Sequence, residues 1–198
     1  KKMKQTQNIT VAVRIRPVLQ YELAKTPEIS ITNENNKVII DNEKTLKFDR
    51  VYNQDSSQQQ ICDELVFPLI EQFINGYSTS ILAYGQTSSG KSYTIGVPDQ
   101  KLFKSFPDFS DSVGIIPRTI QKFFDMLQQS EHRATSTVKI TYIEVYNEQL
   151  RDLLAQDETA IAIREKLAGG YMQIYTQGNQ EIQVQTAQQA LACFVNGG

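Results

Sequence analysis

The chain has 198 residues, 20 Lys plus Arg against 22 Asp plus Glu, 40% hydrophobic residues and two Cys, a composition that fits one globular domain, or most of one, able to bury a core without disulfides. A formal net charge of -2 excludes a global basic field for nucleic acid or an anionic membrane, so partner choice must come from a local site. No apolar run approaches the ~18 residues of a membrane span. Cys62 and Cys193 lack the paired spacing of a zinc or redox motif and read as reduced core thiols.

Lys1 to Asn8 is polar rather than a signal-peptide start, which predicts a cytoplasmic protein. The chain begins with Lys and stops at Gly198 just after a helical pattern, so it reads as an excised piece. Alternating β-branched residues predict a buried first strand at Ile9 to Ile15, closed by Arg16-Pro17. Short strands at Ile29 to Thr32, Lys37 to Ile40 and Leu46 to Phe48, with turns at 33–36 and 41–42, predict a small antiparallel lobe. Ser57 to Gln60 has capping-box spacing before Ile61, Leu65, Leu69 and Phe73, an amphipathic helix that Pro68 must kink or split and Asn75-Gly76 must end.

Ser80 to Tyr84 reads as a buried parallel strand running into a glycine loop. Residues 97–113 read as a long loop whose Leu102, Phe103, Phe106 and Phe109 are apolar enough to tuck onto the body. Pro117 suits a first helical position, with Ile116, Ile120, Phe123, Phe124 and Leu127 as the core stripe. Thr137 to Tyr146 is apolar or half-apolar on both faces and predicts a central strand; Glu148 to Leu154 predicts one or two helical turns. Ile161 to Ile163, Tyr171 to Tyr175 and Glu181 to Val184 read as strands, Gly169-Gly170 as a turn, and Thr186 caps a last helix.

Gly85-Gln86-Thr87-Ser88-Ser89-Gly90-Lys91-Ser92 has two glycines four residues apart followed by Lys and a hydroxyl, the pattern of a phosphate-binding loop. The glycines let successive N–H groups converge on an anion, Lys91 reaches the β- and γ-phosphates, and Ser92 completes a Mg²⁺ shell. The bland alternative is a Gly/Ser-rich turn with an exposed lysine. Several strands precede the loop, and no guanine-reading Asn-Lys-x-Asp is present, which weakens a GTPase reading. His132 is the only histidine and lies in a polar connector, so a triad or histidine metal site has no support.

With the flanking motifs, the chain resembles the kinesin motor family over nearly its whole length. The resemblance is carried by Arg14-Ile15-Arg16-Pro17, Phe48-Asp49-Arg50-Val51, Gly76-Tyr77, Ala83 to Thr94, Gly114-Ile115-Ile116-Pro117-Arg118 and Tyr142 to Glu148 through Asp152-Leu153-Leu154. Ile163-Arg164-Glu165 faintly resembles the centromere-associated mitotic branch. The resemblance implies an α/β P-loop NTPase motor core, a central mixed sheet flanked by helices, that binds ATP or ADP with Mg²⁺ and tracks along microtubules of the cytoskeleton. Arg14, Arg16 and Pro17 would border the adenine and Tyr93 would stack on its other side, an aromatic ring and a guanidinium being suitable planes for a base. Arg16 as an ion-pair partner and Tyr93 as a packing residue are the bland alternatives.

Ser78-Thr79-Ser80 stands where the family usually has Asn-Gly-Thr, Ile95 where it has Met, and Arg164-Glu165-Lys166 lacks its usual Asp. The family's switch motifs, Asn-x-x-Ser-Ser-Arg-Ser-His and Asp-Leu-Ala-Gly-Ser-Glu, do not occur in the 198 residues. The expectation is therefore a partial motor domain, 1–198, lacking both switches and most of the track-binding surface, nearly inactive alone because phosphoryl transfer depends on their positioning. A loop at 155–170 with Arg164 and Lys166 is the one candidate tubulin contact. The competing readings are a nucleotide-binding but catalytically dead kinesin-like scaffold and an unrelated phosphate-loop kinase or ATPase.

Overall fold

The structure, a computed structural model, describes residues 9–22, 36–40, 44–156 and 160–197. The expected strand at Ile29 to Thr32 and the turns at 33–35 and 41–42 lie outside these residues. Strands β1 (Ala12–Arg14), β2 (Lys37–Ile40), β3 (Lys44–Lys47) and β4 (Arg50–Tyr52) come first. β2 and β3 form the expected antiparallel lobe, while β1 runs parallel to β4. The first strand is shorter and more open than its composition suggests: Ile9 and Val11 are exposed, and only residues 12–14 find a ladder partner.

The amphipathic helix forms as expected, in three parts: α1 (Gln58–Ile61), a π-helical turn at Cys62–Val66, and α2 (Phe67–Ile74). Ser57 caps it, its hydroxyl accepting from the Gln60 N–H at 3.0 Å. The π turn lies just before Pro68, whose ring would crowd the carbonyl one turn back in a regular helix; the wider turn absorbs the kink. Beyond α2, residues 77–85 form no regular element and find no ladder partner among the described residues, and Leu82 and Tyr84 are 88% and 96% exposed. The buried parallel strand expected at Ser80 to Tyr84 is thus not formed, because strand-prone residues still need a neighbour to bond.

Helices α3 (Lys91–Ile95), α4 (Leu102–Ser105) and α5 (Ile115–Gln129) follow. Pro117 sits third in α5 rather than first, still within the turn whose N–H groups need no helical acceptor. α5 is the spine of the molecule. Its Ile115 joins Tyr52, Ile61, Cys62 and Val66; Ile116 and Ile120 join Leu102, Val113 and the last helix; Phe123 and Phe124 close over the strands beyond. Phe106 and Phe109 do tuck onto this core. Both cysteines are free and buried, and burial pushes the Cys62 thiol up to about 11.

The run Thr137 to Tyr146 is not a central strand. It breaks at Thr141-Tyr142 into β5 (Val138–Ile140) and β6 (Ile143–Tyr146), because Tyr142 stacks on Phe194 at 6.0 Å and its carbonyl accepts the Leu153 N–H at 2.9 Å. The helical turns expected at Glu148 to Leu154 are instead β7 (Gln149–Asp152), hairpinned to β6 through Asn147-Glu148, both at positive φ. β8 (Ala162–Ala168) and β9 (Tyr171–Gln177) form a long hairpin about Gly169-Gly170, so Arg164 and Lys166 lie on a strand rather than a loop. β10 (Ile182–Val184) pairs with β5, and α6 (Ala187–Asn196), capped by the Thr186 hydroxyl, packs on α5. Among the described residues the strands thus form one parallel and four antiparallel pairs, of which the β5–β10 pair packs against α5 and α6.

Candidate functional site

The loop at 85–92 joins the irregular segment after α2 to α3. Ser88 (φ 67°) and Gly90 (φ 97°) take left-handed conformations, and the Ser89 N–H closes a turn on the Gln86 carbonyl at 3.2 Å. A residue with a side chain is strained in this region, so a glycine at 90 is what the turn into α3 requires. The first bond inside α3 runs from the Thr94 N–H to the Gly90 carbonyl, which leaves the preceding N–H groups without a helical acceptor, as an anion-holding loop requires. A Cβ at Gly85 would come within 2.5 Å of the Ser89 hydroxyl, so the loop closes tightly on itself.

Lys91 bends back over this loop and donates to the Gly85 and Gln86 carbonyls at 2.7 and 2.9 Å. An ammonium held by two neutral carbonyls is placed to exchange them for phosphate oxygens, a stronger charge-assisted partner. Ser92 is exposed at the same end. Among the described residues no group of His, Cys, Asp and Glu is arranged to hold a metal by itself, so a Mg²⁺ here would need Ser92 together with phosphate oxygens, the usual habit of this ion. Two clefts of about 260 and 190 Å³ lie elsewhere, one beside Arg133 at the end of α5 and one beside Thr119.

Arg16 runs along the loop: its Nε donates to the Ser88 carbonyl at 3.0 Å and its Nη atoms grip Glu22 at 2.7 and 2.6 Å. That guanidinium lowers the Glu22 carboxyl to about 2. Pro17 is exposed beside it, its carbonyl accepting from Arg16. Arg14 lies deeper, with its guanidinium 5.0 Å from the centre of the half-exposed Tyr93 ring. The structure thus gathers Arg14, Arg16, Pro17 and Tyr93 around the loop.

Sequence reasoning assigned no role to the groups beneath. Gln58 bonds both Arg14 and the Tyr93 carbonyl, and Arg118, only 8% exposed, donates to Val113 O, Ser110 O and Gln59 Oε1. The available signal was a glutamine opening an amphipathic helix and an arginine inside the stripe of another. Gly96 and Gly114 bring the end of α3 against the start of α5 so closely that a Cβ on Gly114 would overlap the Gly96 backbone. The loop is thereby seated on the spine of the core.

A family model for the kinesin motor domain matches residues 2–198. The chain belongs to the kinesin motor-domain family. It is 36% identical over 194 residues to a zebrafish kinesin-like protein kif7, covering 96% of this chain and 14% of that one. It is 34% identical over 200 residues to Dictyostelium discoideum kinesin-related protein 8, with 96% and 10% coverage. A solved fast kinesin, whose structure is discussed for its ATPase mechanism and interactions with microtubules, superposes with a TM-score of 0.81 at 30% identity, covering 96% of this chain and 52% of that chain. The fold is therefore the kinesin P-loop NTPase fold, and the chain spans about half of the solved kinesin and a smaller share of the curated relatives. Membership removes the unrelated kinase or ATPase reading. No helix among the described residues is long and apolar enough to cross a membrane.

Proposed function

We propose that the chain is the nucleotide-binding portion of a microtubule-stimulated motor ATPase of the cytoskeleton, a partial motor domain over residues 1–198. ATP or ADP would lie with its phosphates in Gly85 to Ser92, Lys91 neutralising the β- and γ-phosphates and the Ser92 hydroxyl binding Mg²⁺, whose chemistry is charge neutralisation across those oxygens. Arg14, Arg16, Pro17 and Tyr93 would hold the base. The observation that carries the reading is the Lys91 ammonium bent across a loop that turns through Ser88 and Gly90 into a helix start. Arg164 and Lys166, sharing one face of the β8–β9 hairpin with Tyr175, would add a minor contact to tubulin. The water-positioning switch motifs are not among these residues, so the 198 residues alone turn over ATP negligibly.

The test is a titration of the chain with fluorescent Mg-ADP, with Lys91→Ala in parallel and circular dichroism to check folding. Saturable binding weakened about 10- to 100-fold by Lys91→Ala is expected, the size of a lost charge-assisted contact. No binding by the folded chain, or binding indifferent to Lys91, overturns the reading.

A further inference from the structure

Gln58 opens α1 and is 0% exposed. A buried primary amide is costly unless both of its ends are bonded. Its Oε1 accepts from Arg14 Nη1 at 2.8 Å, its Nε2 donates to the Tyr93 carbonyl at 2.6 Å, and its backbone N–H donates to Asp111 Oδ1 at 3.0 Å. The amide therefore has one workable orientation, oxygen toward the guanidinium and nitrogen toward the carbonyl. The other bonds of Arg14 go to Thr94 Oγ1 at 3.1 Å and the Ser56 carbonyl at 3.3 Å, both neutral. The guanidinium is thus aimed at the Tyr93 ring by neutral acceptors, and Gln58 is, among the described residues, the one side chain that bonds both Arg14 and the backbone of Tyr93.

We infer that Gln58 is a positioning residue for the nucleobase: from beneath the site, and without touching ligand, it sets the spacing of the Arg14 guanidinium and the Tyr93 ring. The inference rests on the nucleotide-site reading above. It separates two parts of the affinity, since the phosphate part depends on the loop and Lys91 and the base part on Arg14 and Tyr93. Asp111 extends the same device into the connector before α5, because its carboxylate fixes the backbone of Gln58.

The experiment measures ADP and inorganic pyrophosphate, each with Mg²⁺, as competitors of fluorescent ADP on the wild-type chain, Gln58→Met, Gln58→Glu and Asp111→Ala. Gln58→Met deletes both amide bonds at similar volume and should weaken ADP about tenfold, the size of one lost bond to a charged group, with pyrophosphate unchanged within about twofold. Gln58→Glu keeps the acceptor for Arg14 but sets a carboxylate oxygen against the Tyr93 carbonyl, so its ADP-to-pyrophosphate ratio should fall between the two. Equal losses for ADP and pyrophosphate would mark Gln58 as a packing residue only and overturn the inference, as would an unchanged ratio. If the Gln58 variants do not fold, Asp111→Ala decides: a reduced ratio supports the inference and an unchanged one overturns it. Failure of the wild-type chain to bind either ligand would overturn the nucleotide-site reading, and this inference with it.

Discussion

Glu22 ties a pH dependence to the loop. Its carboxyl is held at about 2 by hydrogen bonds from Arg16 and the Leu19 N–H, against an ordinary value of 4.5. A carboxylate with a depressed folded value stabilises the fold above its unfolded value and loses that contribution as pH falls toward the folded one. The stability difference between wild type and Glu22→Gln should therefore be constant above about pH 5 and shrink between about 4.5 and 2. Urea unfolding of both proteins at pH 6.5 and 3 checks this, and an equal difference at the two values contradicts it. Arg14 and Arg16 were readable as a pair because Arg-x-Arg-Pro is a local signal. The outward turn of Arg16 to Glu22, six positions on, is the ion pair that was the alternative for it, whereas the inward turn of Arg14 was not readable, since its partners Gln58 and Thr94 lie 44 and 80 positions away.

Local chemistry made several elements legible. The caps at Ser57 and Thr186, the kink at Pro68 and the turn at Gly169-Gly170 each follow from one or two residues acting on their own backbone. The β6–β7 hairpin escaped because Glu148 takes a left-handed conformation (φ 62°) that glutamate seldom adopts. The segment 80–84 escaped because a strand is defined by its neighbours. At this scale the Gly96–Gly114 contact has a direct test. Gly114→Ala forces backbone apart and should cost about 1–3 kcal/mol or more, a fall of roughly 2–12 °C in Tm for a domain near this size. Gly76→Ala is the comparison: nothing lies within 4 Å of its Cβ and only its φ of +90° is unfavourable, a cost of about 1–2 kcal/mol. A smaller loss for Gly114→Ala than for Gly76→Ala would contradict the close approach of α3 and α5.

Considered whole, the molecule has a well-packed helical side and open β pairs. By register, Ile163, Leu167, Met172 and Ile174 share one face of the β8–β9 hairpin, and all four are exposed, as are Leu82 and Tyr84. Apolar surface and unpaired strand edges of this kind favour association. Sedimentation velocity should show oligomers that grow with concentration, reduced in a Leu82→Lys, Ile174→Lys double variant. A wild-type chain that stays monomeric at all concentrations and melts in one sharp transition would contradict this. The family fold was legible at this scale because motifs in fixed order span nearly all the chain, whereas beyond the β2–β3 lobe which strands would find partners was not.

The π turn at Cys62–Val66, where the Phe67 N–H reaches back to the Cys62 carbonyl, also governs what kinds of sequence change the molecule tolerates. It holds one residue more than a regular turn, and each residue of an α-helix advances about 100°. Because the turn takes up that residue itself, the phase of α2, which sets Phe73 against Phe123 at 5.8 Å and brings Phe67 to 5.4 Å from the Lys122 ammonium, is that of a regular helix one residue shorter. Dropping one residue would turn the π turn into an ordinary one and leave the apolar stripe of α2 facing α5. The stretch is thus tolerant in length, while Cys62 and Val66, buried in the core, are bound in composition.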